Sequence, residues 1–217
     1  MKRFFAFTLA ETLIVMGIIG IVSALTLPNL NASTGEKEKV AKVKKIYQNL
    51  TDAFGRAQAV YGPYTDWHNH QDTDQSLRTG ERITEFMKIS KDCKQEAKGC
   101  FPTGNLLNYD GTIYGVEDIE TDNTSYKIIT ADGTSIAFAV DSIYVDIDGP
   151  NKGKSRVGED RFVFSIRNNE LVPLSGKTDR TGSFHEYDIH VWVIENDNMD
   201  YLKCADELNW ETKRTCK

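Results

Sequence analysis

Glu11 is the only charged residue in an otherwise apolar run that extends from Phe7 to Leu30. A carboxylate inside such a run costs a few kcal/mol where the run is buried, and acidic residues in this setting usually have a function. The chemistry open to it is charge pairing, because a carboxylate partner stabilises a buried cation. The alternative interpretation is that the side chain only extends to the nearest polar boundary. The position therefore predicts a functional role for Glu11.

A second set of residues with the chemistry of a binding site lies in the stretch VDIDGPNKGKSRVGEDRF. Asp146, Asp148 and Asn151 are closely spaced around a glycine, and Asp160 follows. Oxygen ligands around a tight turn suit calcium, although the stretch lacks the EF-hand glutamate at the twelfth loop position. The alternative is a β-turn in which solvated Asp and Asn side chains bond to the backbone. Calcium is therefore the one cofactor that the sequence suggests.

The chain has four cysteines, and sequence alone allows three ways to pair them. The simplest pairing joins neighbours along the chain, Cys93 with Cys100 and Cys204 with Cys216. Each bond would close a short polar loop and contribute roughly 2–3 kcal/mol on the loop-entropy account. Zinc binding is the rival interpretation, but no two cysteines form a CxxC pair.

The sequence contains no motif that points to catalysis. GxSxG, HExxH and a glycine-rich phosphate loop are all absent. The formal net charge is −6, the sequence pI is about 5.3, and no basic stripe is present. We therefore expect neither an enzyme nor a nucleic-acid-binding protein.

The apolar run from Phe7 to Leu30 also has the length of a membrane-spanning helix, since roughly 20 apolar residues cross the hydrocarbon core of a bilayer. Lys2 and Arg3 precede the run, and the positive-inside rule keeps such residues in the cytoplasm. The sequence thus predicts a single span followed by an extracytoplasmic body. A secretory signal peptide cut after Val22–Ala24 and a plain anchor are the alternatives, and neither accounts for Glu11.

Taken together, the segment AFTLAE and the apolar run after it resemble the class III signal of type IV pilins and type II secretion pseudopilins. By this resemblance, prepilin peptidase cuts between Ala6 and Phe7 and methylates the new amine. Glu11 then becomes the fifth mature residue, the glutamate position of the family, and Pro28 falls where many pilins have a helix-loosening proline. Ala6 departs from the family pattern, which usually has glycine before the cut.

The resemblance implies a structural subunit of a type IV pilus-like filament or a type II secretion pseudopilus. Glu11 would pair with the Phe7 amine of a neighbouring subunit. The expected partners are copies of the chain or other pilins, prepilin peptidase, the inner-membrane assembly machinery and the membrane itself. The expected location is the bacterial inner membrane, with the N-terminus in the cytoplasm, and then the cell-surface filament.

The remaining sequence completes the predicted domain organisation. Residues 1–6 form the leader, 7–30 a transmembrane helix, 31–62 an amphipathic continuation after a break at Pro28 and Gly35, and 63–217 an extracytoplasmic head. The stripe of the continuation helix is Val40, Val43, Ile46, Tyr47, Leu50, Phe54, Ala57 and Tyr61. Predicted strands lie in YKIITADGTSIAFAV, a hairpin, and in SIYVDI, DRFVFSI, LVPL and YDIHVWVIEN.

These elements predict an α+β fold of pilin-like design. A long N-terminal helix, half transmembrane and half amphipathic, would pack on a small antiparallel sheet of four or five strands. The alternative function is that of a membrane-anchored extracytoplasmic protein that binds calcium or another ligand.

Overall fold

The computed structural model of the chain describes residues 8–68, 74–96, 99–152, 155–175 and 180–216, with only the backbone of 23–33 and 116–117. The chain divides between Glu38 and Lys39 into two compact units. The α-helices are α1 (Leu9–Tyr61), α2 (Gln75–Thr84), α3 (Ile189–Asn196) and α4 (Tyr201–Cys204), and short 3₁₀ turns cover Tyr64–Asp66, Glu186–Asp188 and Ala205–Glu207. The strands are β1 (Ile89–Lys94), β2 (Gly104–Leu107), β3 (Ile113–Glu117), β4 (Tyr126–Thr130), β5 (Ser135–Phe138), β6 (Ser142–Asp146), β7 (Arg161–Arg167) and β8 (Glu170–Pro173).

The larger sheet is antiparallel throughout, with the six strands in the order β1-β4-β5-β6-β7-β8. The predicted hairpin is confirmed: Tyr126 of β4 lies opposite Phe138 of β5, and the turn contains Gly133 at a φ of +85°. The strands β6, β7 and β8 each pair with the one before. The strands β2 and β3 pair as a separate ribbon.

One face of the sheet is apolar and packs against the part of α1 that begins at Lys39. Val43, Leu50 and Ala57 of α1 are fully buried, and the ring of Tyr47 stacks on Phe164 of β7 with centroids 5.1 Å apart. The predicted stripe is thus confirmed as far as Ala57, because side chains three or four residues apart enter one core. Burying each large side chain contributes roughly 1.5–3 kcal/mol. On the sheet, the core includes Tyr126, Ile128, Ile136, Phe138, Ile143, Val145, Phe162, Phe164, Ile166 and Leu171.

The opposite face of the sheet carries polar side chains, because alternate residues of a strand point to opposite faces. Lys127 of β4 is completely buried there. Its ammonium donates to the carbonyl oxygens of Gln95 and Ile119 at 3.3 Å, of Glu120 at 3.5 Å and of Asp122. Burial lowers the pKa of Lys127, and the nearby charges of Asp122 and Glu120 oppose that shift. This carbonyl cage fastens the segment around residues 119–122 to the sheet.

Both predicted disulfides are present. Cys93 pairs with Cys100 and Cys204 with Cys216, with Cα atoms 6.3 and 6.0 Å apart. The backbone N–H of Cys216 also donates to Oδ2 of Asp200 at 2.7 Å. The second disulfide therefore fixes the C-terminal segment beside the start of α4.

The last predicted strand, YDIHVWVIEN, is wrong, because these residues form a 3₁₀ turn and then α3. Oδ2 of the buried Asp188 accepts hydrogen bonds from the backbone N–H of His185 at 2.9 Å and from the indole N–H of Trp210 at 3.1 Å. Trp192 is fully buried, and its ring lies 4.6 Å from that of Trp210. These tertiary contacts outweigh the β propensity of the local sequence.

The predicted break at Pro28 and Gly35 is also wrong, since α1 runs through both positions as one helix. A proline removes one backbone hydrogen bond, and helical backbone continues on both sides of it. The helix ends where Gly62 adopts a φ of +82° and its N–H donates to the carbonyl oxygen of Gln58 at 2.9 Å. Tyr61, the last member of the predicted stripe, is 37 % exposed.

The prediction of a membrane span over residues 7–30 is corrected. Within the part of the chain whose side chains the structure describes, no helix combines the length and the hydropathy needed to cross a bilayer. The inner-membrane localisation depended on that span and is corrected with it.

The fold class predicted from the sequence, a pilin-like design with a half-transmembrane helix on a small sheet, is therefore wrong as stated. The chain has mixed α and β structure, and α1 is not apolar along its length, because charged residues recur from Glu36 onward. A sheet of six strands and a separate ribbon replace the small sheet, and α3 replaces its last strand. The additional strands β1, β2 and β3 lie in a stretch that shows no clear alternation of apolar and polar residues.

The helix α2 packs closely on β4, and glycine substitutions test this contact. A Cβ atom added at Gly80 would lie 2.3 Å from the ring of Tyr126, whereas one added at Gly55, which is exposed on α1, would have nothing within 4 Å. We expect Gly80→Ala to destabilise the chain by about 1–3 kcal/mol through overpacking. Gly55→Ala should stabilise it by roughly 0.5–1 kcal/mol, because alanine is the better helix former. Urea unfolding measures both variants, and equal stabilities would contradict the α2–β4 packing.

Candidate functional site

Glu11 forms the first turn of α1 together with Thr8. Its Oε2 atom accepts hydrogen bonds from the backbone N–H of Thr8 at 2.9 Å and from the Thr8 hydroxyl at 2.8 Å, while the Glu11 N–H donates to Thr8 Oγ1 at 3.3 Å. These reciprocal bonds form a capping box, and T-x-x-E is its sequence signature. The bonds from the Thr8 backbone and then its hydroxyl lower the pKa of Glu11. Sequence reasoning missed Thr8, although the signature was present.

The residues on either side of Glu11 form what we call the apolar helix surface, Leu9–Val22 of α1. Leu9 is 85 % exposed and Met16 72 % exposed. Because the α-helix has 3.6 residues per turn, the exposed apolar residues cover every side of it. They are Leu9, Leu13, Ile14, Val15, Met16, Ile18, Ile19, Ile21 and Val22.

The other predicted processing residues are only partly covered by the structure. Ala6 and Phe7 lie outside the described residues. Pro28 lies within α1, and its side chain is outside the described part of the chain. Their predicted roles in cleavage and assembly stay predictions.

The four predicted calcium ligands have distinct surroundings. Asp146 is fully buried, and its Oδ1 accepts from the backbone N–H groups of Asp148 at 3.0 Å and Gly149 at 2.9 Å. Oδ2 of Asp148 lies 3.7 Å from the ammonium of Lys39, and Asn151 is exposed. These contacts belong to the turn that sequence analysis left as the alternative.

The fourth predicted ligand, Asp160, is buried and accepts a hydrogen bond from the backbone N–H of Arg156. Across the described ranges, no group of three or more His, Cys, Asp or Glu side chains is placed to hold a metal ion. Calcium binding at this loop stays a prediction.

Asp146 is nevertheless in an unusual electrostatic position. Burial and then the charge of Asp160 raise its pKa to about 7, against the opposing charge of Arg161. Its Oδ2 atom has no hydrogen-bond partner among the described residues, nor has the hydroxyl of Ser135, which lies opposite it in the β5–β6 register. Ionisation of Asp146 therefore places a poorly compensated charge inside the fold.

The polar face of the sheet, which carries Asp146, also borders a cavity of about 670 Å³, which we call the sheet cleft. Its walls include the β2–β3 ribbon, the segment around residues 118–125, strands β6 and β7, and the 3₁₀ turn that precedes α3. Tyr114, Tyr144 and Tyr187 line it together with the carboxylates of Asp118 and Glu186.

His190 of α3 also lines the sheet cleft and is only 6 % exposed. The backbone N–H of Val163 donates to its Nδ1 at 3.4 Å, which places the ring proton of the neutral form on Nε2. Burial lowers the pKa of His190 to about 4, so the ring is neutral at physiological pH. This placement is not readable from the sequence, which predicts His190 on a strand.

The raised pKa of Asp146 leads to a pH-dependent prediction. An unfolded Asp ionises near pH 3.8, whereas the folded carboxyl holds its proton to about pH 7, so the folded state loses stability as pH rises between these values. Asp146→Asn keeps an oxygen for the N–H groups of Asp148 and Gly149 and cannot ionise. We expect it to be more stable than the parent chain by a few kcal/mol at pH 8, at about 1.4 kcal/mol per pKa unit, and similar at pH 4.

Urea unfolding of both proteins at the two pH values measures this difference. The buried His190 titrates in the same way in parent and variant, so its contribution cancels. Asp118→Asn makes the same chemical change at an exposed carboxylate and is the matched control. A stability difference between Asp146→Asn and the parent chain that does not change with pH would contradict the assignment.

Comparison of the chain with protein-family models, with curated proteins and with solved structures finds no match.

Proposed function

We propose that the chain is a structural subunit, a pilin or pseudopilin, of a type IV pilus-like filament or a type II secretion pseudopilus. The observation that carries this proposal is the apolar helix surface with Glu11 at its start. A helix that is apolar on every side needs other surfaces to cover it, and patches of this size mark interaction sites. Copies of the same helix, bundled together, cover one another on all sides. Each large side chain buried in this way contributes roughly 1.5–3 kcal/mol.

In such a bundle, the carboxylate of Glu11 pairs with a buried positive charge. Cleavage by prepilin peptidase between Ala6 and Phe7 creates a positive amine next to the apolar helix surface. Inside a bundle this amine is costly to bury without a partner, and Glu11 of a neighbouring copy supplies the opposite charge. The partners of the chain are then copies of itself or other pilins, the peptidase and the assembly machinery.

The capping box separates two roles of Glu11. Before assembly the carboxylate is already bonded to Thr8, so it caps its own helix. In the bundle it is needed as a charge. Gln caps as Glu does in this motif but carries no charge, so the two roles respond differently to substitution.

The first test is the mature N-terminus. Intact-mass and peptide mass spectrometry of chain isolated from cells that contain prepilin peptidase should show that it begins with N-methylated Phe7. An uncut chain, or one cut after Ala24, would contradict the proposal.

The second test compares three substitutions by the amount of filament sheared from those cells. Glu11→Gln and Glu11→Ala should both reduce filaments at least tenfold, because both remove the charge. Thr8→Val removes the cap and keeps the carboxylate, so it should assemble. Disulfide content and circular dichroism of each variant control for folding, and mass spectrometry controls for cleavage. Normal filaments from Glu11→Gln would show that Glu11 only caps the helix.

A further inference from the structure

We propose that the sheet cleft is a binding site for a neutral saccharide, a function separate from filament assembly. The cavity volume of about 670 Å³ lies within the roughly 300–1,000 Å³ of small-molecule sites. Such sites combine apolar and aromatic walls with a few polar groups that fix the orientation of the ligand. The sheet cleft has each of these components.

The aromatic component is a pair of exposed tyrosines from different elements. Tyr114 of the ribbon strand β3 is 71 % exposed, and Tyr187 of the 3₁₀ turn is 58 % exposed. The ring of Tyr187 stacks on that of His185 with centroids 5.1 Å apart, which limits its freedom. Tyrosine offers a flat apolar face and a polar tip, and the C–H face of a sugar ring packs on such a surface.

The polar component contains both acceptors and a donor. Asp118 and Glu186 line the cleft, are exposed, and form no side-chain hydrogen bond or ion pair within the described part of the chain. They are therefore available to accept hydrogen bonds from hydroxyl groups. Inside the cleft, Nδ1 of His190 is engaged by Val163, and the Nε2–H remains to donate to a ligand oxygen.

The charges around the cleft select against anionic ligands, because three acidic residues, Asp118, Asp122 and Glu186, line it with one guanidinium, that of Arg161. A neutral ligand rich in hydroxyl groups can donate to the carboxylates and accept from the Nε2–H of His190. A simple cation offers no acceptor to that donor. The aromatic faces and mixed polar groups thus favour a saccharide.

Isothermal titration calorimetry of the full chain tests this proposal with glucose, galactose, N-acetylglucosamine, lactose and maltose, each at millimolar concentration. At least one of these sugars should release heat that saturates. Tyr114→Ala and Tyr187→Ala should each weaken its binding by about tenfold, since a good aromatic contact contributes up to roughly that factor. Both tyrosines are exposed, so the fold should tolerate their removal.

The matched control is Ile113→Ala, which removes an exposed apolar side chain from the same strand without touching the cleft. It should bind the sugar as the parent chain does. Tetramethylammonium is the cationic comparison and should not bind. The proposal is overturned if none of the sugars binds, if both tyrosine variants bind as tightly as the parent chain, or if the cation binds and the sugars do not.

Discussion

The contact between the apolar stripe of α1 and one face of the six-stranded sheet is the interaction on which the rest of the head depends. Val43, Leu50 and Ala57 are fully buried against that face, and Tyr47 stacks on Phe164 of β7. Because strand side chains alternate, closing one face with apolar residues assigns the polar residues of the same strands to the other. The buried Asp146, the cage around Lys127 and the sheet cleft all lie on that second face. The position of the core therefore determines which face of the sheet carries the polar and ionisable residues.

At the start of α1, the proposed function gives the carboxylate of Glu11 one set of contacts before assembly and another after it. In the chain as the structure describes it, Glu11 completes the first turn of α1 with Thr8, so its carboxylate is hydrogen-bonded. In the proposed filament it would face the amine created before it. A carboxylate has several lone-pair positions, and one interaction does not exclude the other. On the proposed function, this dual use would explain how an acidic residue is tolerated at the start of an apolar helix both before and after assembly.

Sequence reasoning succeeded where a signal was local. The hairpin at Gly133, the stripe from Val40 to Ala57 and the two disulfides each follow from spacing over a short stretch. It failed where contacts between residues distant in the sequence determine the secondary structure. The segment from Tyr187 to Asn196 has strand-like composition, but Asp188, Trp192 and Trp210 make it a turn and a helix through contacts with one another.

The residues of the candidate site were likewise predictable only where a local sequence signal marks them. Glu11 is visible in the sequence as a lone charge in an apolar run, and its role in assembly stays a prediction, whereas Thr8 was overlooked although its spacing was informative. The sheet cleft was not predictable, since Tyr114, Asp118, Glu186 and His190 come from separate elements. The break at Pro28 and the membrane span were expected from residue type and hydropathy, and the described helix bears out neither.

Lys127 gives this fold a property that bound metal ions give to other small folds. Four carbonyl oxygens surround its ammonium, much as they would surround a metal cation. This cation is covalently attached to β4, so neither a chelator nor dilution can remove it. The wall of the sheet cleft formed by residues 119–122 is thereby held by an internal counterpart of a structural ion. To that extent its shape is independent of the salts in the surrounding medium.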